Sequence, residues 1–229
     1  MTLTRSFRCK AILFDLDGVL VNSAERVEKT WRAWAATHGL DADRVIAFAH
    51  GRRTVETVQL VAPELSASEE VAALESSEAM SSEGVYEIPG ARELLESLPP
   101  DRWAVVTSGV RAVAEFRIRF TGLPMPRVMV CADAIARGKP DPEGYLAAAQ
   151  RLGVAAADCI VIEDAPAGIE AAHNGGMRSI GVATTYPADR LVDADAVVAR
   201  LSDLTIQPAA DQILITMKWP ASEAHGKSA

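Results

Sequence analysis

Two aspartates one residue apart, Asp15 and Asp17, follow directly on the apolar run 10–14 and precede Gly18. An apolar strand that ends in two acids delivers them to the carboxyl edge of a sheet, where open α/β folds bind ligands. Alternation along the strand puts both acids on one side, and Gly18 lets the chain turn away. Neighbouring carboxylates raise each other's pKa unless a cation intervenes, so the pair calls for either a hard, oxygen-ligated metal or a shared proton. Other runs end in a similar way. Residues 103–107 close on Thr107 and Ser108, whose hydroxyls, with the N–H groups of a following helix, suit phosphate oxygens. Residues 159–163 close on Glu163 and Asp164, two residues ahead of Pro166, and proline is favoured in a first helical turn. Before them, Arg137-Gly138-Lys139-Pro140-Asp141-Pro142 holds one lysine in a loop stiffened by two prolines; Asp141 and Pro142 are suited to open a helix.

These residues need a frame that brings several strand ends together. The runs 10–14, 103–107, 127–131, 159–163, 178–183 and 194–199 are short and rich in β-branched residues. Most are continuously apolar, as strands covered on both faces must be. Helical periodicity fills 89–98, 111–120, 142–152 and 165–174, and the alternation predicts an α/β fold with a doubly wound, Rossmann-like parallel sheet. The stretch from Ser23 to about 87 breaks that rhythm. Ser23 is placed to cap a helix whose Val27, Trp31, Trp34 and Ala35 share one face until Gly39. Helical patterns follow at 44–49, 54–61 and 66–80, the last opening in the capping box Ser66-Ala67-Ser68-Glu69. The prediction is an all-helical insert, 22–87, in a core built from 1–21 and 88–229. Residues 205–206 and 213–217 predict a terminal hairpin, and 220–229 reads as an unstructured tail.

Asp15-Leu16-Asp17-Gly18-Val19-Leu20 resembles the first signature of haloacid dehalogenase-like phosphatases, and the other strand ends match the remaining signatures in order over nearly the whole chain. The resemblance implies Asp15 as nucleophile, Asp17 as general acid and base, Thr107 or Ser108 as phosphate ligand, and Lys139 as the cation facing nucleophile and phosphate. It implies Mg2+ as cofactor, held by Asp15, the carbonyl of Asp17 and Asp164, with Glu163 in the metal set either through water or behind the ligands. The helical insert matches the family's cap, and its basic loop offers His50 and Arg53 as substrate contacts. The family's dehalogenases lack the second acid, so Asp17 points to phosphate esters. Similarity is greatest to the subgroup that includes glycerol-phosphate and 2-deoxyglucose-6-phosphate phosphatases, which implies a small phosphorylated polyol or sugar as substrate. Asn22 and Ala134 stand where relatives commonly carry aspartate, which loosens the subgroup placement more than the chemistry. The alternative within the family is a sugar phosphomutase resembling β-phosphoglucomutase; Gly109-Val110-Arg111 lacks that enzyme's usual lysine-bearing turn and favours hydrolysis. A binding module that kept only the fold has no use for a nucleophile.

The bulk composition sets limits. The chain has 229 residues, 49% hydrophobic and 24% charged, enough to bury a substantial core. A net charge of -8 argues against nucleic acid or an anionic membrane as partner, because both demand a basic face. Cys9, Cys131 and Cys159 are odd in number and sit in apolar surroundings, which predicts reduced, buried thiols. With no long apolar stretch, the expectation is a cytoplasmic protein, a monomer or weak homodimer, acting on a small phosphorylated metabolite.

Overall fold

The computed structural model describes residues 3–49 and 51–219. In chain order the strands are β1 (Leu3–Cys9), β2 (Ala11–Phe14), β3 (Val21–Asn22), β4 (Tyr86–Glu87), β5 (Trp103–Val106), β6 (Val128–Val130), β7 (Cys159–Glu163), β8 (Arg178–Val182), β9 (Ala196–Val198), β10 (Leu204–Pro208) and β11 (Ile213–Trp219). The helices are α1 (Ala24–Thr37), α2 (Ala42–Ala49), α3 (Thr54–Val61), α4 (Ala67–Ala79), α5 (Ala91–Ser97), α6 (Arg111–Thr121), α7 (Glu143–Leu152) and α8 (Pro166–Asn174). Among the described residues the main sheet has the order β6-β5-β2-β7-β8-β9, and every pair in it is parallel. β2 therefore lies inside the sheet, between β5 and β7.

The continuous apolar strands are explained by cover on both faces. Ile12, Phe14, Trp103, Val105, Ile160 and Ile162 pack on one side with Leu94 and Leu95 of α5 and Ile118 of α6. Ala11, Leu13, Ala104, Val106 and Val161 pack on the other with Tyr145 and Ala148 of α7 and Ala171 and Ala172 of α8. Fully burying one such large apolar side chain is worth about 1.5–3 kcal/mol, and the twofold cover fixes the height at which each strand stops. Phe14 pairs with Val105 and with Ile162, so Asp15, Val106 and Glu163 come level at one edge.

Helices α1 to α4 have an apolar cluster of their own, in which Trp31, Trp34, Val45, Val58 and Leu74 are buried together. Trp31 meets Trp34 edge to face at 5.4 Å, and the Trp34 indole donates to Glu70 at 2.7 Å. The chain enters and leaves this segment through the antiparallel ribbon β3–β4.

Four local expectations change. The region before Lys10 forms β1, which pairs with β11, so the terminal hairpin becomes a three-stranded sheet, β1-β11-β10. β4 supplies a strand inside 23–87. Ser66 caps nothing and its hydroxyl meets Ser68 instead. Ser23 likewise makes no cap bond; Asn22 Oδ1 accepts from the N–H of Ala24 in its place. The tail 220–229 lies outside the described residues. The three cysteines are free and buried, and burial pushes the Cys9 thiol up to about 12 and those of Cys131 and Cys159 to about 11. Among the described residues no helix is long and apolar enough to cross a membrane.

Candidate active site

Lys139 is the centre of the cluster. Its ammonium is buried and ion-paired to Asp15 Oδ1, and it lies 2.6 Å from Glu163 Oε1. It is also 5.2 Å from the Tyr145 ring centroid, on the ring's face. The loop 137–142 carries it in from beyond β6. Burial alone works to lower its pKa, but the carboxylates of Asp15 and Glu163 carry it well above the ordinary lysine value. It remains charged. Removing one partner from a buried pair of this kind costs about 3–5 kcal/mol.

Glu163 is committed to holding that lysine. Oε1 accepts from Lys139 and from the Tyr145 hydroxyl at 2.9 Å. Oε2 accepts the N–H groups of Asp164 and Ala165, both at 2.9 Å. With each oxygen taking two donors and the side chain 1% exposed, Glu163 serves Lys139 from behind Asp15 and Asp164, one of the two placements expected of it. Gly168 makes this possible: a Cβ there would lie 1.7 Å from Glu163 Oε1. Gly18 is required twice over, by φ +86° and by a Cβ position 1.8 Å from Asp164 Oδ2.

Asp15 and Asp164 are buried beside this lysine. Burial, then the charges of Glu163 and Asp17, push Asp15 up to about 8 against the pull of Lys139. Burial, then Glu163 and Asp15, raise Asp164 well above the usual carboxylate range, opposed by a hydrogen bond to Thr185. The upward shifts of Lys139 and of Asp15 look contradictory, since one favours the ion pair and the other opposes it. They agree once the charges are summed. Asp15, Glu163 and Asp164 share one ammonium, so one acid keeps its proton unless a second cation arrives. Among the described residues no three His, Cys, Asp or Glu side chains group as a metal cage. The buried carboxylates of Asp15 and Asp164 remain, oxygen donors of the kind that a hard ion accepts.

Asp17 has different company. Its Oδ1 accepts from the Ser23 hydroxyl at 2.7 Å and lies 2.7 Å from Nη1 of Arg117. These acids, with Thr107 and Ser108, line a cavity of about 300 Å³ that is walled on the helical side by Val27, Trp31 and Arg52. Thr107 Oγ1 accepts from the N–H of Gly109 at 3.0 Å, and the Ser108 hydroxyl donates to the carbonyl of Gly51 at 2.9 Å. The structure does not bring Arg53 to this cavity. Its guanidinium meets Glu56 at 2.6 Å and the carbonyl of Ile135 at 3.3 Å. Glu56 in turn accepts the N–H of Gly138 at 3.2 Å, so the pair fastens α3 to the lysine loop. His50 lies outside the described residues. Sequence reasoning missed Tyr145 as the partner of Glu163, Thr185 on Asp164, and the Arg117–Glu78 pair beside Asp17.

A family model described as haloacid dehalogenase-like hydrolase matches residues 9–176, which span every strand end just described. The chain belongs to this family. It is 41% identical over 214 residues to hexitol phosphatase A of Escherichia coli strain K12, covering 90% of this chain and 99% of that protein. It is 35% identical to glycerol-1-phosphate phosphohydrolase 2 of Saccharomyces cerevisiae, covering 81% and 79%. To β-phosphoglucomutase of Bacillus subtilis it is 31% identical, covering 86% and 92%. Among solved structures, a hydrolase from Pseudomonas syringae superposes with a TM-score of 0.74 at 26% identity over 85% of this chain and 95% of that one.

Two outcomes follow from the geometry of the site. Gly168→Ala drives Glu163 off its four donors and lowers the unfolding free energy by about 1–3 kcal/mol; an unchanged urea midpoint contradicts this packing. For the metal-free protein, Asp15 titrates near 8 folded and at about 3.9 unfolded. The folded state therefore binds more protons between those values, and stability falls as pH rises from about 4 to about 8. Melting in excess chelator gives a lower Tm at pH 8 than at pH 5, and Asp15→Asn flattens the trend; a Tm that rises equally in both proteins contradicts it.

Proposed function

We propose that this protein is a Mg2+-dependent phosphatase that hydrolyses a small phosphorylated polyol or sugar through an aspartyl phosphate on Asp15. The observation that carries the reading is the separation of the two acids of the first motif: Asp15 lies against Lys139, and Asp17 lies against Ser23 and Arg117, on one cavity. In the first step an Asp15 oxygen forms a bond to phosphorus as the bond to the substrate oxygen breaks, and Asp17 gives that oxygen its proton, releasing the alcohol. In the second, water gives Asp17 a proton and attacks the aspartyl phosphate, releasing inorganic phosphate and restoring both acids. Lys139 faces the charge that gathers on the phosphoryl oxygens, with Thr107 and the N–H groups after β5 as further donors. Asp15, Asp164 and the carbonyl of Asp17 would hold Mg2+, whose positive charge would keep both carboxylates ionised.

Residues 22–87 act as a cap that encloses the substrate and excludes bulk water. The cavity, about 300 Å³, is at the small end of the ligand-pocket range of roughly 300–1,000 Å³, which supports a monosaccharide or hexitol monophosphate. Hexitol, glycerol-phosphate and sugar-phosphate enzymes among the relatives support the same class. The buried thiols and the absence of a membrane-spanning helix among the described residues support a cytoplasmic place of work.

The test is phosphate release over a panel of polyol, hexose and glycolate phosphates, with Mg2+ and with chelator. Release from a polyol or sugar phosphate with Mg2+ alone, abolished by Asp15→Asn in a folded protein, is the expected result. Turnover undiminished in Asp15→Asn overturns the mechanism. Interconversion of sugar phosphates that depends on a bisphosphate primer, without phosphate release, replaces it with a mutase.

A further inference from the structure

One buried arginine links helix α4 of the helical segment to Asp17. Arg117 projects from α6 of the sheet domain and is 3% exposed. Nη1 lies 2.7 Å from Asp17 Oδ1, and Nη2 donates at 2.8 Å to Oε2 of Glu78, on α4. Its Nε is buried with no acceptor among the described residues. One guanidinium is therefore divided between two carboxylates rather than matched face to face with either, although the bidentate pairing of arginine with a single carboxylate is the stronger geometry. Burial works against its charge; Asp17 and Glu78 hold it. Two donors fall on the same oxygen of Asp17, Oδ1: Nη1 of Arg117 and the Ser23 hydroxyl. Among the described residues Oδ2 has no protein donor. Moreover, Ser23 stands at the entrance to the helical segment and Glu78 near its exit, on either side of the β3–β4 ribbon.

Resting on the phosphatase reading, we infer that Arg117 is a positioning residue for Asp17: it pins Oδ1 so that Oδ2 delivers the proton to the departing alcohol, and Glu78 ties that posture to the seated cap. A cap that swings away about the ribbon withdraws Glu78 and Ser23 together, and Asp17 loses its fixed orientation. Proton delivery is thereby confined to the enclosed site. The bond that breaks is phosphorus to substrate oxygen, and the proton on Asp17 Oδ2 ends on that oxygen.

A leaving group that departs without a proton separates this role from a merely structural one. The quantity to read is kcat/KM, which reports phosphoryl transfer to Asp15, for p-nitrophenyl phosphate and for the best polyol or sugar phosphate of the wild type. Arg117→Met is expected to lower kcat/KM for the alkyl phosphate by roughly 10²–10⁴-fold, the usual worth of general acid catalysis. For p-nitrophenyl phosphate it stays within about tenfold, far below the loss that general acid catalysis accounts for. Glu78→Gln shows the same selective loss to a smaller degree, and Arg117→Lys recovers part of it. Should Arg117→Met not fold, Glu78→Gln and Arg117→Lys decide by the same ratio. Equal losses on both substrates, or no loss on either, overturn the inference while leaving the phosphatase intact. A wild type that releases phosphate from neither substrate removes the phosphatase reading itself.

Discussion

Lys139 is surrounded by more acid than it can neutralise. One ammonium faces Asp15 and Glu163 directly and Asp164 through the same buried volume, in a place where unpaired charge is expensive. The rest of the site answers that imbalance. Tyr145 and two backbone N–H groups take up the charge of Glu163, which leaves Asp15 and Asp164 as two buried carboxylates against the one ammonium. A site built in this way balances its charge with a proton on the pair or with an added cation, and the proposed mechanism requires Asp15 in its ionised form.

The sheet makes the cluster by register. β2 lies between β5 and β7 with covered faces, so its length is set by packing, and the polar residues begin where the cover ends. Lys139 comes from a loop outside that register, and Glu56 of α3, paired with Arg53 just ahead of that helix, fastens the loop at Gly138. The Arg117–Glu78 pair does the corresponding service for Asp17. Two ionic clasps thus join the helical segment to the two residues to which the proposed mechanism gives proton transfer and charge neutralisation, while the Ser108 bond to Gly51 adds a neutral one.

Most of the frame can be read from the chain because strands covered on both faces carry continuous apolar runs, and each run ends in residues of recognisable chemistry. The three strand-end motifs arrive at one cavity for that reason, and Lys139 reaches Asp15 from a loop beside it. β1 escapes the same reading because it is covered on one face only; its signal is alternation, with Phe7 and Cys9 buried and Ser6 and Arg8 exposed. Arg53 is basic and in the right loop, but a glutamate three residues on and a free carbonyl satisfy it away from the substrate. Arg117 is the opposite case. In sequence it is one of three arginines on α6, and its worth depends on Glu78, 39 residues away on another unit, a contact that no local pattern announces. Gly168 was the available clue to Glu163: a helical glycine makes room for something, and here it is the carboxylate that holds the lysine.

The claim that the acid pair waits for a cation is tested most directly by counting protons. Mg2+ titrated calorimetrically into the metal-free protein at pH 7, in two buffers of different ionisation enthalpy, reports protons released on binding. With Asp15 raised to about 8, binding releases close to one proton per ion, and Asp15→Asn removes most of that release. Mg2+ binding to the wild type with no proton released at pH 7 would contradict the account.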